Sequence, residues 1–398
     1  MNNTPELLSP AGDLDKMRFG IAYGADAVYM AGTRFGMRAA ATNFDDNALR
    51  EGIAYAHAHG VKCYITVNIM PSNRDLPALP AYLELLQDAG ADALIIADVG
   101  VLRMARRYAP KVPVHISTQT SILNHEAANY WADEGAERIV LARELSLEEI
   151  AEIRAKTPKE LEIEAFVHGA MCISYSGRCL ISQYMTGRDA NHGACAQPCR
   201  WNYSLMEEKR PGQFFPVEED GRGTYLYNSK DMCMIEHVPE LIEAGITSFK
   251  IEGRNKTAYY AACVTGAYRA AIDTYKKDPE NFVLPQFCRD EVNKVSHREY
   301  YTGFYFGNQE NGQHYGDSQY IREYEVVGMP VECDDSGKAV FALKNRFFDG
   351  EELELIQPGQ APYVFRAENV TDDEGTEREL FNVPQMRVHF AFPFKVSE

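Results

Sequence analysis

One phrase recurs along the chain and limits what it can fold into. Tyr23-Gly-Ala-Asp-Ala-Val-Tyr-Met-Ala31 returns as Ala89-Gly-Ala-Asp-Ala-Leu-Ile-Ile-Ala97, and Glu134-Gly-Ala-Glu-Arg-Ile-Val-Leu-Ala142 keeps the same form. Ala244-Gly-Ile-Thr-Ser-Phe-Lys-Ile-Glu252 is a looser copy. Each copy reads as a helix end, a glycine that takes the left-handed turn after it, and a short apolar strand. Strands apolar on both faces, set between amphipathic helices, are what a buried parallel sheet requires. Repetition of the unit predicts a βα array.

Strand patterns fall near Glu6–Ser9, Ala25–Met30, Lys62–Val67, Ala91–Ala97, Val112–Ser117, Glu137–Ala142, Leu161–Val167 and Ser248–Ile251. Helical patterns lie between them, most clearly Asn47–His59 and Ser146–Lys156; Ser146 and Glu149 form a capping box. Eight such units favour an α/β fold of the closed (β/α)8 TIM type over an open doubly wound sheet. Seven strands lie before His168 and the eighth begins only at Ser248, so an insertion (169–245) follows strand seven. Active sites of such barrels lie at the C-terminal strand ends, which places the insertion at the mouth. Residues 1–280 are assigned to the barrel with its insertion. Residues 281–323 read as a connector with aromatic anchors in His297-Arg-Glu-Tyr-Tyr-Thr-Gly-Phe304. Residues 324–398 alternate in short strands (326–331, 338–343, 352–356, 363–367, 386–392) broken by Gly and Asp, which predicts a small antiparallel β-barrel domain.

The chain has 398 residues, of which 45% are apolar, a globular composition. Its net charge of −18 argues against nonspecific coating of nucleic acid, since phosphate binding is driven by Lys and Arg, but leaves room for a local basic groove. No apolar run is long enough to span a membrane. The N-terminus has no basic stretch followed by an apolar core, so a cytoplasmic location is expected. In that compartment cysteines are expected to be reduced, ligated or catalytic rather than disulfide-bonded.

Five of the nine cysteines fall between Cys172 and Cys233. Cys172, Cys179, Cys195 and Cys199 follow a C-x6-C-x15-C-x3-C spacing. Thiolates are soft ligands for iron–sulfur clusters or zinc, and this spacing lacks the paired C-x2-C knuckles of zinc fingers. A metal centre, [4Fe–4S] before zinc, is therefore expected over four unligated thiols. Arg178 and Arg200 adjoin these cysteines; they could form surface ion pairs, offset the charge of a thiolate-ligated cluster, or hold an anionic substrate. His168 ends strand seven, and a catalytic role is set beside a structural one. Lys250 and Glu252 alternate at the end of strand eight, so both should face the barrel top as candidate catalytic groups. Arg254 opens the next helix, where an anion can bind. Asn228 and Lys230 precede another helix as N-cap neighbours or as polar groups over the mouth. Ser9, Tyr29, Asn68, Asp98, Ser117, Gln119 and Arg143 supply further polar strand ends. Hydrolase signatures are missing: His125-Glu126 is followed by Asn129 rather than a second histidine, and no G-x-S-x-G is present.

Several phrases resemble those of the peptidase U32 (collagenase-like protease) family. They are Glu6-Leu-Leu-Ser-Pro-Ala-Gly12, Tyr23–Tyr29, His168-Gly-Ala-Met-Cys-Ile-Ser-Tyr-Ser-Gly-Arg-Cys179, Cys199-Arg-Trp201, Tyr227-Asn-Ser-Lys-Asp231, Lys250-Ile-Glu-Gly-Arg254 and Tyr301-Thr-Gly-Phe304. The resemblance runs along nearly the whole chain and looks strongest to the tRNA hydroxylation members. It implies prephenate-dependent conversion of the tRNA wobble uridine to 5-hydroxyuridine, with tRNA and a prephenate-like carboxylate as partners and a paralogous chain as a possible third. It also implies a [4Fe–4S] cluster held by Cys172, Cys179, Cys195 and Cys199, with Cys233 in reserve. Two rival readings are a metal-assisted peptidase, as the family name implies, and a scaffold whose cluster is only structural.

Overall fold

The computed structural model describes residues 4–38, 41–172, 174–201, 205–206, 214–215, 229–307 and 320–396. Eight parallel strands close into a barrel: β1 (Glu6–Pro10), β2 (Ala27–Met30), β3 (Lys62–Val67), β4 (Ala93–Ile96), β5 (Val114–Ile116), β6 (Arg138–Val140), β7 (Glu162–Ala170) and β8 (Ser248–Ile251). Each pairs with the next, and β8 pairs with both β7 and β1, so no edge is left open. All eight strands expected from the sequence are present.

The repeated phrase does local work at every junction. Gly24, Gly90, Gly135 and Gly245 sit at φ between 72° and 97°, the left-handed turn that glycine adopts without a Cβ clash. The acid two residues on then clamps the preceding strand. Asp26 accepts from the Leu7 amide at 2.8 Å, and Asp92 accepts from the Cys63 amide at 2.7 Å. At the other end of the unit, Asp13, Asp45, Asp98, Asn124, Ser146 and Thr257 cap helices through their side chains. The capping box at Ser146 and Glu149 forms as expected.

The larger core lies between strands and helices. Inside the barrel, a small apolar cluster (Leu8, Ala27, Tyr29, Tyr64, Ala93, Ile95) shares the space with a buried ionic ladder. Arg138 bonds Glu162 (2.7 Å), Glu6 (2.6 Å) and Glu164 (3.1 Å), and Glu164 bonds Lys250 at 2.6 Å. Charges as buried as those of Arg138, Glu164 and Lys250 persist only where each has a partner, and here each does.

The insertion returns through a short strand, Asp231–Cys233, that lies antiparallel on the end of β7. The segment read as a connector is more structured than expected. It contains the helix Gln286–Lys294, and Tyr300–Tyr301 adds a strand beside Asp231–Cys233. Tyr305 donates to the Phe166 carbonyl at 2.5 Å, tying this segment into the barrel wall. Beyond it the strands are antiparallel, as expected. Their pairing gives a four-stranded sheet (Gly328–Cys333, Lys338–Leu343, Arg387–Ala391, Thr371–Asp372) and two ribbons (Phe347–Phe348 with Leu380–Phe381; Glu352–Leu355 with Tyr363–Arg366). Among the described residues hydrogen bonds do not join these into one closed sheet, because several strands are only two residues long. Side chains fuse the layers instead, with Phe347 stacked on Phe381 at 4.8 Å.

Candidate active site at the barrel mouth

One cavity opens at the C-terminal ends of the strands. Its floor is Tyr29, Thr66, Ile95, Val140, Phe166 and Lys250, and its roof is the cysteine-bearing insertion. The insertion is fixed there by close backbone contacts. Gly193, at φ 85°, lies so near the Gly36 carbonyl that a Cβ would stand 3.0 Å from it, and the Met70 amide donates to the Asn191 carbonyl at 3.1 Å.

Cationic side chains converge on Glu252. Arg38 reaches its carboxylate at 3.4 Å and Arg143 at 4.0 Å; Arg254, itself buried, bonds the Met37 carbonyl beside them. Burial pushes the Glu252 carboxyl up, but the nearby positive charges of Arg38, Arg143 and Arg254 outweigh it and hold it down to about 2. In return Glu252 keeps the Arg38 guanidinium protonated more firmly than usual. Glu252 is thus a fixed anion that organises guanidiniums, unsuited to taking a proton near neutral pH. Arg143 also lies 3.9 Å over the Phe166 ring, and Lys250 lies 4.5 Å over the Tyr29 ring. The loop that brings Arg38 here holds Phe35, Arg38 and Asn43 at φ 60°, 70° and 53°, a conformation that side chains other than glycine seldom adopt. On the opposite wall Asn68 donates to Gln119 at 2.8 Å and Ser117 donates to it at 2.6 Å. Thr66 Oγ1 and Ser174 Oγ are buried with no hydrogen-bond partner among the described residues, and both line the cavity. A mouth with this lining suits a small anionic molecule.

Cys172, Cys179, Cys195 and Cys199 all line this cavity, and none is in a disulfide. In kind and place this donor set fits an iron–sulfur cluster. As the side chains stand, no three Cys, His, Asp or Glu groups among the described residues already close on one point, so binding a centre requires the thiols to draw together. Cys233 does not line the cavity. Burial raises its thiol to about 12, and it lies on the far side of β7 in the influence of Tyr268. It therefore stands apart from the four thiols of the mouth.

Three other candidates stand elsewhere than expected. Strict alternation would turn His168 into the mouth, but β7 bulges there: Lys250 pairs with Phe166 while Ile251 pairs with His168, leaving Val167 extra. The bulge turns His168 outward into a cage of Tyr260, Tyr268 and Tyr300. Gly169, at φ 107°, follows, and a Cβ there would stand 2.4 Å from the Glu252 carbonyl. Burial, with Lys256 and His297 adding to it, lowers the His168 imidazole to about 3. His168 is a neutral packing group, not a catalytic base. Lys230 pairs with Glu299 at 2.7 Å away from the cavity. Arg178 is exposed on the insertion and does not reach the cavity lining. Asn228 and the Arg200 side chain lie outside the described residues. Lys250, Glu252 and Arg254 are brought together as expected. Sequence reasoning noted Arg143 only as a polar strand end and missed Arg38, whose sole signal was a basic residue near Gly36 in a βα loop.

Comparison with known proteins adds the lineage. The model of peptidase family U32 matches residues 12–315, and that of the family's C-terminal domain matches 322–398. The chain belongs to peptidase family U32. It is 39% identical to tRNA hydroxylation protein P1 of Bacillus subtilis, over 98% of this chain and 93% of that one. It is 37% identical to tRNA hydroxylation protein P of Escherichia coli, over 93% of this chain and 90% of that one. A 23S rRNA 5-hydroxycytidine synthase of E. coli is 40% identical over 82% of this chain and 48% of its own length. Among the described residues of this family member no helix is long and apolar enough to cross a membrane.

Proposed function

We propose that this U32 protein is an RNA hydroxylase that converts the wobble uridine of tRNA to 5-hydroxyuridine, with prephenate as co-substrate and a [4Fe–4S] cluster on Cys172, Cys179, Cys195 and Cys199. The observation that carries the reading is one cavity that joins four thiols to a group of guanidiniums at the end of a barrel. The names of the relatives support the same chemistry, since both uridine and cytidine would receive a hydroxyl group on an RNA base.

Each part of the mouth has a task in this account. Arg38, Arg143 and Arg254 bind the carboxylates of prephenate, and Glu252 holds the guanidiniums together against their mutual repulsion. Lys250, held by Glu164, presents a fixed positive charge on the cavity floor. Asn68, Ser117 and Gln119 offer amide and hydroxyl groups to the edge of a uracil. That base must leave its stack and enter the mouth, as in other base-modifying enzymes. Replacing C5–H by C5–OH is a two-electron oxidation, so the co-substrate that gives up oxygen is reduced by the same two electrons. A cluster held by Cys172, Cys179, Cys195 and Cys199 would supply electron exchange at this mouth. No histidine lines the cavity among the described residues, so a Ser–His or Cys–His pair for peptide hydrolysis is absent there.

Nucleoside analysis of tRNA tests the reading. A strain deleted for this protein should lack 5-hydroxyuridine and its derivatives and regain them with the wild-type chain, but not with Cys172→Ala or Arg143→Met. Unchanged tRNA in the deletion strain, with hydrolysis of gelatin by the purified protein, would favour the peptidase instead.

A further inference from the structure

The roof of the mouth differs in character from the rest of the protein. Residues 171–201 contain three arginines (Arg178, Arg188, Arg200) and one aspartate (Asp189), in a chain whose net charge is −18. The same stretch exposes large apolar side chains. Tyr184 is 84% exposed, and Leu180, Met185 and Trp201 are about half exposed. Leu180 and Tyr184 are spaced to share one face of the helix Ile181–Thr186, which packs against the turn Pro198–Arg200 just before Trp201. Exposed apolar groups clustered on one element mark a binding surface, because isolated water-facing aromatics gain nothing for folding.

We propose that this rim is a stacking platform for the unpaired nucleotides that flank the target base. Tyr184 and Trp201 offer ring faces to neighbouring bases, and Arg178 and Arg188 face their phosphates. The inference rests on the RNA reading above and names the part of the RNA that is held: a loop with splayed bases rather than a helix. Aromatic rings interleaved with arginine are what single-stranded RNA recognition uses, since every base has a π-face. Position decides between RNA and a protein partner. Tyr175, exposed on the same insertion, also lines the cavity, so the insertion carries an exposed ring at the entrance as well. A protein seated there would cover the opening that the base must pass.

The test uses the full chain, purified without oxygen, and fluorescence anisotropy with two labelled probes. One is an RNA stem-loop with a uridine-containing loop; the other is a blunt duplex of the stem alone. Tyr184→Ala and Trp201→Ala should each weaken stem-loop binding about tenfold, the loss of one stacked base, and leave duplex binding unchanged. Tyr184→Phe keeps the ring and should bind as wild type. Thermal melting checks that each variant is folded. Wild-type affinity in both alanine variants would overturn the proposal. So would equal weakening for loop and duplex, which is electrostatics without stacking. Unchanged RNA affinity with loss of a wild-type dimer in light scattering would make the patch an interface between copies and overturn it as well. Failure of the RNA reading itself looks different: the wild-type chain would bind neither probe and its deletion would leave tRNA unaltered.

Discussion

Replacing His168 by phenylalanine should make the protein more resistant to acid. The Tyr300 hydroxyl donates to the Val292 carbonyl at 2.7 Å, so its contact with His168 Nε2 at 3.3 Å requires the imidazole proton on Nε2. Nδ1 is then a bare acceptor, and it is buried with no partner among the described residues. Protonating it would put an unpaired charge in the aromatic cage near Lys256, which is why burial, then Lys256 and His297, lower the group from 6.5 to about 3. The unfolded chain takes up this proton near 6.5, and the folded chain refuses it until about 3. The stability due to the neutral ring is therefore complete above about 6.5 and drains away as pH falls toward 3. The slope rises toward about 1.4 kcal/mol per pH unit as the unfolded chain becomes fully protonated, which integrates to about 2 kcal/mol between pH 6.5 and 4.5. Phenylalanine keeps the ring packing, and Tyr300 keeps its Val292 partner. Urea unfolding followed by circular dichroism at a series of pH values gives the comparison. The wild type should lose about 2 kcal/mol more than His168→Phe over that range. Parallel pH dependences would refute the outward, uncharged placement of His168.

Other consequences concern the mouth and the ladder beneath it. Glu252→Gln removes a carboxylate whose value is held down to about 2, so it should lose about 3 kcal/mol of stability at neutral pH in urea unfolding. This contribution is present above about 4.5 and disappears as pH falls through about 2, so the two proteins should converge in strong acid. Arg138→Leu leaves Glu6 and Glu164 buried without their shared cation and should destabilise the barrel by about 3–5 kcal/mol. Cys233→Ser should keep whatever iron the wild type carries, measured by metal analysis, because its thiol faces the Tyr268 side of β7.

Much of the barrel was legible because the Gly-Ala-Asp phrase carries its own geometry: a left-handed glycine, a buried alanine and an acid that clamps the previous strand. The mouth was legible in part. Lys250, Glu252 and Arg254 follow from alternation along one regular strand, and the four cysteines follow from their place after strand seven. The outward turn of His168 was not legible because period-two reasoning has no sign for a bulge, which is set by how β7 and β8 meet. Arg38 was missed because it reaches Glu252 from the loop after β2, two strands round the barrel and 214 residues earlier in the chain, through a loop without periodicity. The connector was under-read for a related reason. Tyr300 and Tyr301 become a strand only because Asp231–Cys233 offers them an edge.

The central claim, that the four mouth cysteines hold an iron–sulfur cluster, is tested most directly by iron, sulfide and zinc analysis with an absorbance spectrum of protein purified without oxygen. The account predicts about four iron and four sulfide per chain, as a thiolate-held cubane contains, with the content lost in Cys172→Ser, Cys179→Ser, Cys195→Ser and Cys199→Ser. Stoichiometric zinc, or wild-type iron content in any of those four variants, would contradict it.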